Sequence, residues 1–170
     1  MTRRSILDAS LIGFTGSRDG MTAAQKVAVT KILETLQTRI RIGGGSYESL
    51  PPIGSPLGHP VKPIVGHGDC VGADAEFDAI ATSMGLERHI YPCDIQSMRA
   101  HCELRGAIQI SEPARPLIRN QRLVTDSMVM IATPKEYQEV LRSGTWSTIR
   151  HARKRSSVLL LVTPDGNLVR

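Results

Sequence analysis

Three turns and one helix carry the side chains able to hold a phosphorylated molecule. The first turn is Gly16-Ser17-Arg18. Glycine lets the backbone approach an anion closely, serine adds a hydroxyl donor, and arginine adds a bidentate cationic fork. The alternative for Arg18 is a pair with its neighbour Asp19. The second turn, Gly66-His67-Gly68-Asp69-Cys70-Val71-Gly72-Ala73-Asp74, holds two carboxyls. Asp69 can accept hydrogen bonds from a ribose. Asp74 falls in the first turn of a helix, where a carboxylate is favourable even without a ligand. The third turn is Ser143-Gly144-Thr145. Thr145 suits a helix N-cap, and its hydroxyl and the N–H groups around Gly144 also suit a phosphate. Arg119 is a candidate phosphate contact, with Asn120 beside it to cap or orient it.

Other constellations are weaker. His67, Asp69 and Cys70 have metal-ligand chemistry, but residues so close in sequence seldom converge on one ion, and no metal or cofactor is expected. Cys70 precedes a helix, yet no base for a nucleophilic cysteine is identifiable. Cys70, Cys93 and Cys102 show neither disulfide-framework nor zinc spacing and read as free thiols. The run Arg150-His151-Ala152-Arg153-Lys154-Arg155 reads as a solvated helix face.

These residues need elements to position them. Apolar Leu11–Thr15 runs into the first turn, and Thr22 with Gln25 forms a capping box for a helix over 23–39. Val27, Ile32, Leu33 and Leu36 are read as its apolar face. The first turn and that helix start together make an anion site. Residues 63–67 form a second strand, 73–84 a helix stopped by Gly85, and 88–92 a third strand. A short helix is expected within 98–105, and another over 117–127 with Leu117, Gln121, Val124 and Met128 on one face. Met128–Ala132 is a continuous apolar run, as in a strand buried on both faces. A helix over 146–155 and a strand over 157–163 follow, with Trp146 assigned to the core or an interface.

Alternating strands and helices predict an α/β fold: one Rossmann-like domain with an open, mostly parallel five-stranded sheet and helices on both faces. The glycine turns then gather beyond the carboxyl ends of the strands, where such sheets bind ligands. The 170 residues suit a single domain. The Gly/Pro-rich stretch 43–62 reads as a surface insertion. With 41% hydrophobic and 22% charged residues the chain is not disordered, and no apolar run spans a membrane, which points to the cytoplasm. A net charge of +5 permits nucleic-acid or nucleotide binding, while 4% aromatic residues argue against a stacking platform for single strands.

In this order the turns resemble the SLOG superfamily, which includes the Lonely Guy phosphoribohydrolases, the DNA-processing protein A family and the YpsA/YspA-like proteins. Gly16-Ser17-Arg18 matches the opening turn, and residues 66–74 match the second glycine turn ending in Gly72-Ala73-Asp74. Arg119-Asn120 with Leu123 resembles the family's helix motif. Arg142-Ser143-Gly144-Thr145-Trp146-Ser147-Thr148 stands in place of its final Gly-Thr turn, in a form most similar to the YspA-like branch. The resemblance covers Leu11 to Gly166 outside the insertion. It implies a homodimer and a nucleotide or nucleotide-derived ligand on these turns, with Gly16, Ser17, Arg18, Gly66, Asp69, Gly72, Ala73, Asp74, Arg119, Asn120, Ser143, Gly144 and Thr145 as contacts.

The chemistry is a separate matter. The resemblance implies that in Lonely Guy enzymes a glutamate after the last Gly-Thr works with an arginine to cleave an N-glycosidic bond. Thr148 holds that position here, with Arg150 nearby. Threonine is no carboxylate acid or base. Asp69, Asp74 and Arg119 are therefore the catalytic candidates. Three functions stand in order: a nucleotide-binding sensor or ligand-binding module, an N-glycosidic hydrolase of nucleoside monophosphates, and a DNA-binding protein.

Overall fold

A computed structural model describes residues 11–42, 63–155 and 157–169. The 43–62 insertion lies outside the described residues. The elements are β1 (Leu11–Gly16), α1 (Ala23–Ile42), β2 (Ile64–His67), α2 (Ala73–Ser83), β3 (Glu87–Ile90), β4 (Gln109–Ile110), α3 (Pro116–Asp126), β5 (Val129–Thr133), α4 (Gly144–Lys154), β6 (Val158–Val162) and β7 (Leu168–Val169). They build one sheet in the order β4-β3-β2-β1-β5-β6-β7. Neighbours from β4 to β6 are parallel, and β7 returns antiparallel on β6. The sheet thus has seven strands rather than five. The two extra strands are two residues each and exist only by pairing with β3 and β6, so no periodicity of their own announces them.

Alternation along the central strands sorts the core into two layers. Ile12, Phe14 and Ile131 face α1 and α2, packing with Val29, Leu33, Phe77 and Ala81. The Phe14 and Phe77 rings stack at 4.2 Å. Leu11 and Met130 face the other way, onto Leu123 and Val124 of α3 and Ala152 of α4. Trp146 is in the core, with Ala132, Ile149 and Leu161.

Two apolar faces differ from expectation. Val27 is 55% exposed and Leu117 59% exposed. In α1 the buried stripe runs through Gln25, Val29 and Leu33, and Val27 lies two residues, about 200°, from its start. In α3 Arg119, Leu123 and Val124 are buried, and Leu117 is offset from Arg119 in the same way.

The capping box forms as read: Thr22 Oγ1 accepts from Gln25 N and Gln25 Oε1 from Thr22 N, each at 3.0 Å. The Gln25 amide also donates to Pro134 O and Val162 O, tying α1 to the ends of β5 and β6. Thr22→Ala is therefore expected to cost about 1 kcal/mol, as cap removals do. Gln25→Ala should cost about 2–3 kcal/mol, because it also strands two carbonyls. Urea unfolding with an unchanged slope measures both. Gly85, at φ +67, ends α2 with Leu86 N–H on Ala81 O and Gly85 N–H on Thr82 O, the two bonds of a Schellman stop.

The helix expected within 98–105 is two 3-10 turns, Gln96–Met98 and Cys102–Arg105. The chain between them is pinned to the second glycine turn: Ala100 N donates to Asp69 O and Val71 N to Met98 O. Those bonds replace the ladder of a continuous helix.

Candidate ligand-binding site

Strand order reverses at β1, whose neighbours are β2 on one side and β5 on the other. The loops leaving β1 and β5 therefore diverge and leave a crevice. A cavity of 340 Å³ lies there. Its floor is the end of β1, where Gly16 pairs in register with Thr133. A Cβ on Gly16 would overlap the Thr133 hydroxyl and come within 2.5 Å of the Ala73 Cβ.

Nine of the expected contacts line this cavity: Gly16, Ser17 and Arg18, then Asp74, Arg119 and Asn120, then Ser143, Gly144 and Thr145. Ser17 is held in place, its Oγ accepting from Asp19 N at 3.1 Å. Arg18 and Arg142 are exposed at the rim, and their guanidinium groups make no hydrogen bond or ion pair with the described residues. Ser143 rather than Thr145 is the N-cap of α4, because its backbone is extended and its Oγ accepts from Trp146 N. The Thr145 hydroxyl instead donates to Gly16 O at 2.8 Å, joining the third turn to the first. A Cβ on Gly144 would meet nothing within 4 Å, so the first turn of α4 opens on the cavity. The helix start that faces the crevice is thus that of α4. Residues of the α1 start do not line it, since Thr22, Gln25 and Glu76 already satisfy that end.

Gly66, Asp69, Gly72 and Ala73 are not on the cavity wall. Gly66 is packed beneath it in β2, against Leu11, Leu123 and Tyr91. Ala73 N donates to Ser17 O at 2.9 Å, so the first turn caps α2. Asp69 is fully buried, at φ +59. Its Oδ2 takes Arg99 Nε at 2.7 Å and its Oδ1 takes Cys102 N at 2.8 Å. Both oxygens are engaged in fixing the loop wall, which leaves none directed at a ribose.

Arg119 is 4% exposed. It donates through Nη1 to Gly68 O and Tyr91 O, and through Nη2 to Cys70 Sγ at 3.3 Å, while Nε has no partner among the described residues. Asp74 shares this wall and accepts from Cys70 N at 3.1 Å. Burial pushes the Asp74 carboxyl above the ordinary aspartate value, against the opposing charges of His67 and Arg119. Burial likewise pushes the Cys70 thiol up, and the Asp74 charge adds to that against the opposing Arg119, which disfavours the thiolate a nucleophile needs. Thr148 donates to Gly144 O and brings no acid to the site.

Lys135, Glu136, Arg142 and Met98 also line the cavity. Lys135 meets Asp19 at 2.7 Å across the rim, and Glu136 accepts from Trp146 Nε1 at 3.1 Å. The placement of Lys135 just past β5, at a strand's carboxyl end, is the signal that could have marked it. Among the described residues, His67, Asp78 and Cys102 are the group close enough to share an ion. Asp78 is instead bonded to His67, Arg88 and Arg105. Two cations already hold that carboxylate, so the cluster is an ion-pair network and not a metal centre.

An open, mostly parallel α/β sheet with its crevice at the β1/β5 reversal and helices on both faces defines the class: the fold is Rossmann-like. No protein-family model matches the sequence, and no curated protein matches it either. Among solved structures it is similar to the molybdenum cofactor binding protein from the phototrophic bacterium Rippkaea orientalis, at 14% identity and TM-score 0.59, over 95% of this chain and 78% of that one. It is similar to DNA processing protein A from Streptococcus pneumoniae, at 13% identity and TM-score 0.59, over 92% of this chain and 51% of that one. This chain thus spans about half the length of that protein. A third neighbour is TM1055, a structural genomics target, at 13% identity and TM-score 0.51, over 90% of this chain and 74% of that one. At these identities the likeness is one of fold. No helix among the described residues is long and apolar enough to cross a membrane.

Proposed function

We propose that the chain is a binding module for a nucleotide or nucleotide-derived phosphorylated ligand, held in the crevice beyond β1 and β5. One observation carries this reading. The open first turn of α4 lines the cavity together with Arg18 and Arg142, whose guanidiniums have no partner among the described residues. Helix dipole, free N–H groups and bidentate cations there favour a phosphate. The nine expected contacts that line this one cavity support it, and so does a fold shared with a protein named for binding a cofactor.

Mass spectrometry of small molecules released on denaturation, followed by calorimetry with a nucleotide panel, tests the proposal. Arg18→Ala and Arg142→Ala should each weaken binding about tenfold, the worth of one charge-assisted contact, with no loss of stability. Absence of binding at millimolar ligand would sink it. A hydrolytic reading is favoured by one feature: Asp74 faces the same cavity with its proton held more tightly than usual. Release of ribose 5-phosphate from nucleoside monophosphates, abolished in Asp74→Asn, would establish it. We carry the homodimer as part of the proposal, with light scattering as its check.

A further inference from the structure

Beside the crevice lies a second concavity of 210 Å³ between α3 and α4, which pack against each other. Helical spacing explains its lining. In α4, Ser147, Arg150, His151 and Lys154 fall at i, i+3, i+4 and i+7 and share one face. In α3, Leu117, Asn120 and Gln121 form the opposing stripe. Among the described residues no acidic side chain lines the cleft.

The basic residues of α4 divide into two groups. Arg150 and Arg153 reach Glu139, at 3.0 and 3.5 Å, and Arg150 also donates to Leu141 O. The side chains of His151 and Lys154 make no hydrogen bond or ion pair with the described residues, and both line the cleft. The negative end of the helix dipole accounts for cations in the last turn of α4. It does not account for their gathering on a concave surface beside two amides and the hydroxyls of Ser147 and Thr148. Asn120 lines this cleft and the main cavity alike, so the two adjoin at this residue.

We propose that the α3–α4 cleft is a second anion subsite, and that the ligand is a nucleotide bearing two separated anionic groups. This rests on the nucleotide reading of the main cavity. One phosphate sits at the start of α4. The other lies past Asn120, held by Lys154 and His151, with Ser147 and Gln121 as neutral partners. Arg150 stays with Glu139 and frames the cleft.

The test compares the 5′-monophosphates of the four common ribonucleosides with the matching 3′,5′-bisphosphates, by calorimetry on the full chain. The preferred bisphosphate should bind about tenfold more tightly than its monophosphate. The double variant His151→Gln/Lys154→Gln should erase that preference, leaving monophosphate affinity and the thermal midpoint unchanged. Both residues are outside the core, so folding does not confound the comparison. Equal affinity for both nucleotides in the wild type overturns the second subsite and leaves the nucleotide reading standing. A preference that survives in the double variant overturns the assignment to this cleft. Binding of neither nucleotide class overturns both readings together.

Discussion

Asp78→Ala is expected to lower folding stability by about 3–5 kcal/mol, the usual cost of removing one partner from a buried ion pair. Asp78 is fully buried and accepts from His67 Nε2 at 3.0 Å, from Arg88 Nη1 at 2.8 and 2.9 Å, and from Arg105 Nη1 at 3.0 Å. Arg88 is only 4% exposed, so the variant buries an unpaired guanidinium. A domain of this kind has about 5–15 kcal/mol in total, which makes the loss a large share. Asp78→Ala/Arg88→Leu should recover part of it, because replacing both charges removes the stranded one.

The same carboxylate sets an acid limit. Burial opposes its ionisation, but hydrogen bonds from His67 and Arg88, the His67 charge and the Arg105 bond hold it down at about 2. Its pKa is lower folded than unfolded, so its contribution is complete above the ordinary aspartate value of 3.8 and fades as pH falls towards 2. Urea midpoints between pH 5 and about 2 should show that loss in the wild type, with the corresponding part missing from Asp78→Ala.

Gly72→Ala should be the most damaging change to the loops, at about 3 kcal/mol or more. Gly72 sits at φ +86, ψ −126, a region closed to residues with a Cβ. An added Cβ would overlap the Arg18 carbonyl oxygen and lie 2.5 Å from its carbon and 2.8 Å from its Cα. These are backbone atoms, so no side-chain rotation relieves the clash. Because the second turn rests on the first at this point, Arg18 should be displaced and phosphate binding lost with stability. Gly144→Ala is the contrast: its Cβ meets open space, and the thermal midpoint should hold or rise slightly. An equal fall in both variants would show that Gly72 is not a contact point between the turns.

Local chemistry was legible in the sequence. Thr22 and Gln25 lie three residues apart and form their box, and Gly85 stops its helix, because each motif is complete within one turn. The crevice was legible too, since alternating strands and helices place every glycine turn at one edge of the sheet. Asp69 was not. Its partners are 30 and 33 residues further on, so a carboxyl that looked free for a ribose is spent on Arg99 and Cys102. The α4 start at Gly144 and Thr145 was read as a phosphate site and lines the cavity, whereas the α1 start, read as a second one, does not. Gln25 forms the cap it was read as, but its further bonds to Pro134 and Val162 are 109 and 137 residues away in sequence and carry no local signal. Val27 and Leu117 look like core residues because composition counts apolar side chains without knowing which stripe the sheet covers.

The glycine at the end of β1 has a consequence for how this protein can change its preferences. Its α-carbon is boxed in by the Thr133 hydroxyl and the Ala73 methyl, so no side chain fits at this floor position unless its neighbours change with it. The rim is different: Lys135, Glu136, Val140 and Arg142 come from one loop that owes the sheet no pairing. Selection for a new ligand, natural or in a directed library, has its freedom in residues 135–142. Descendants of this chain would be expected to keep one floor while varying what stands above it.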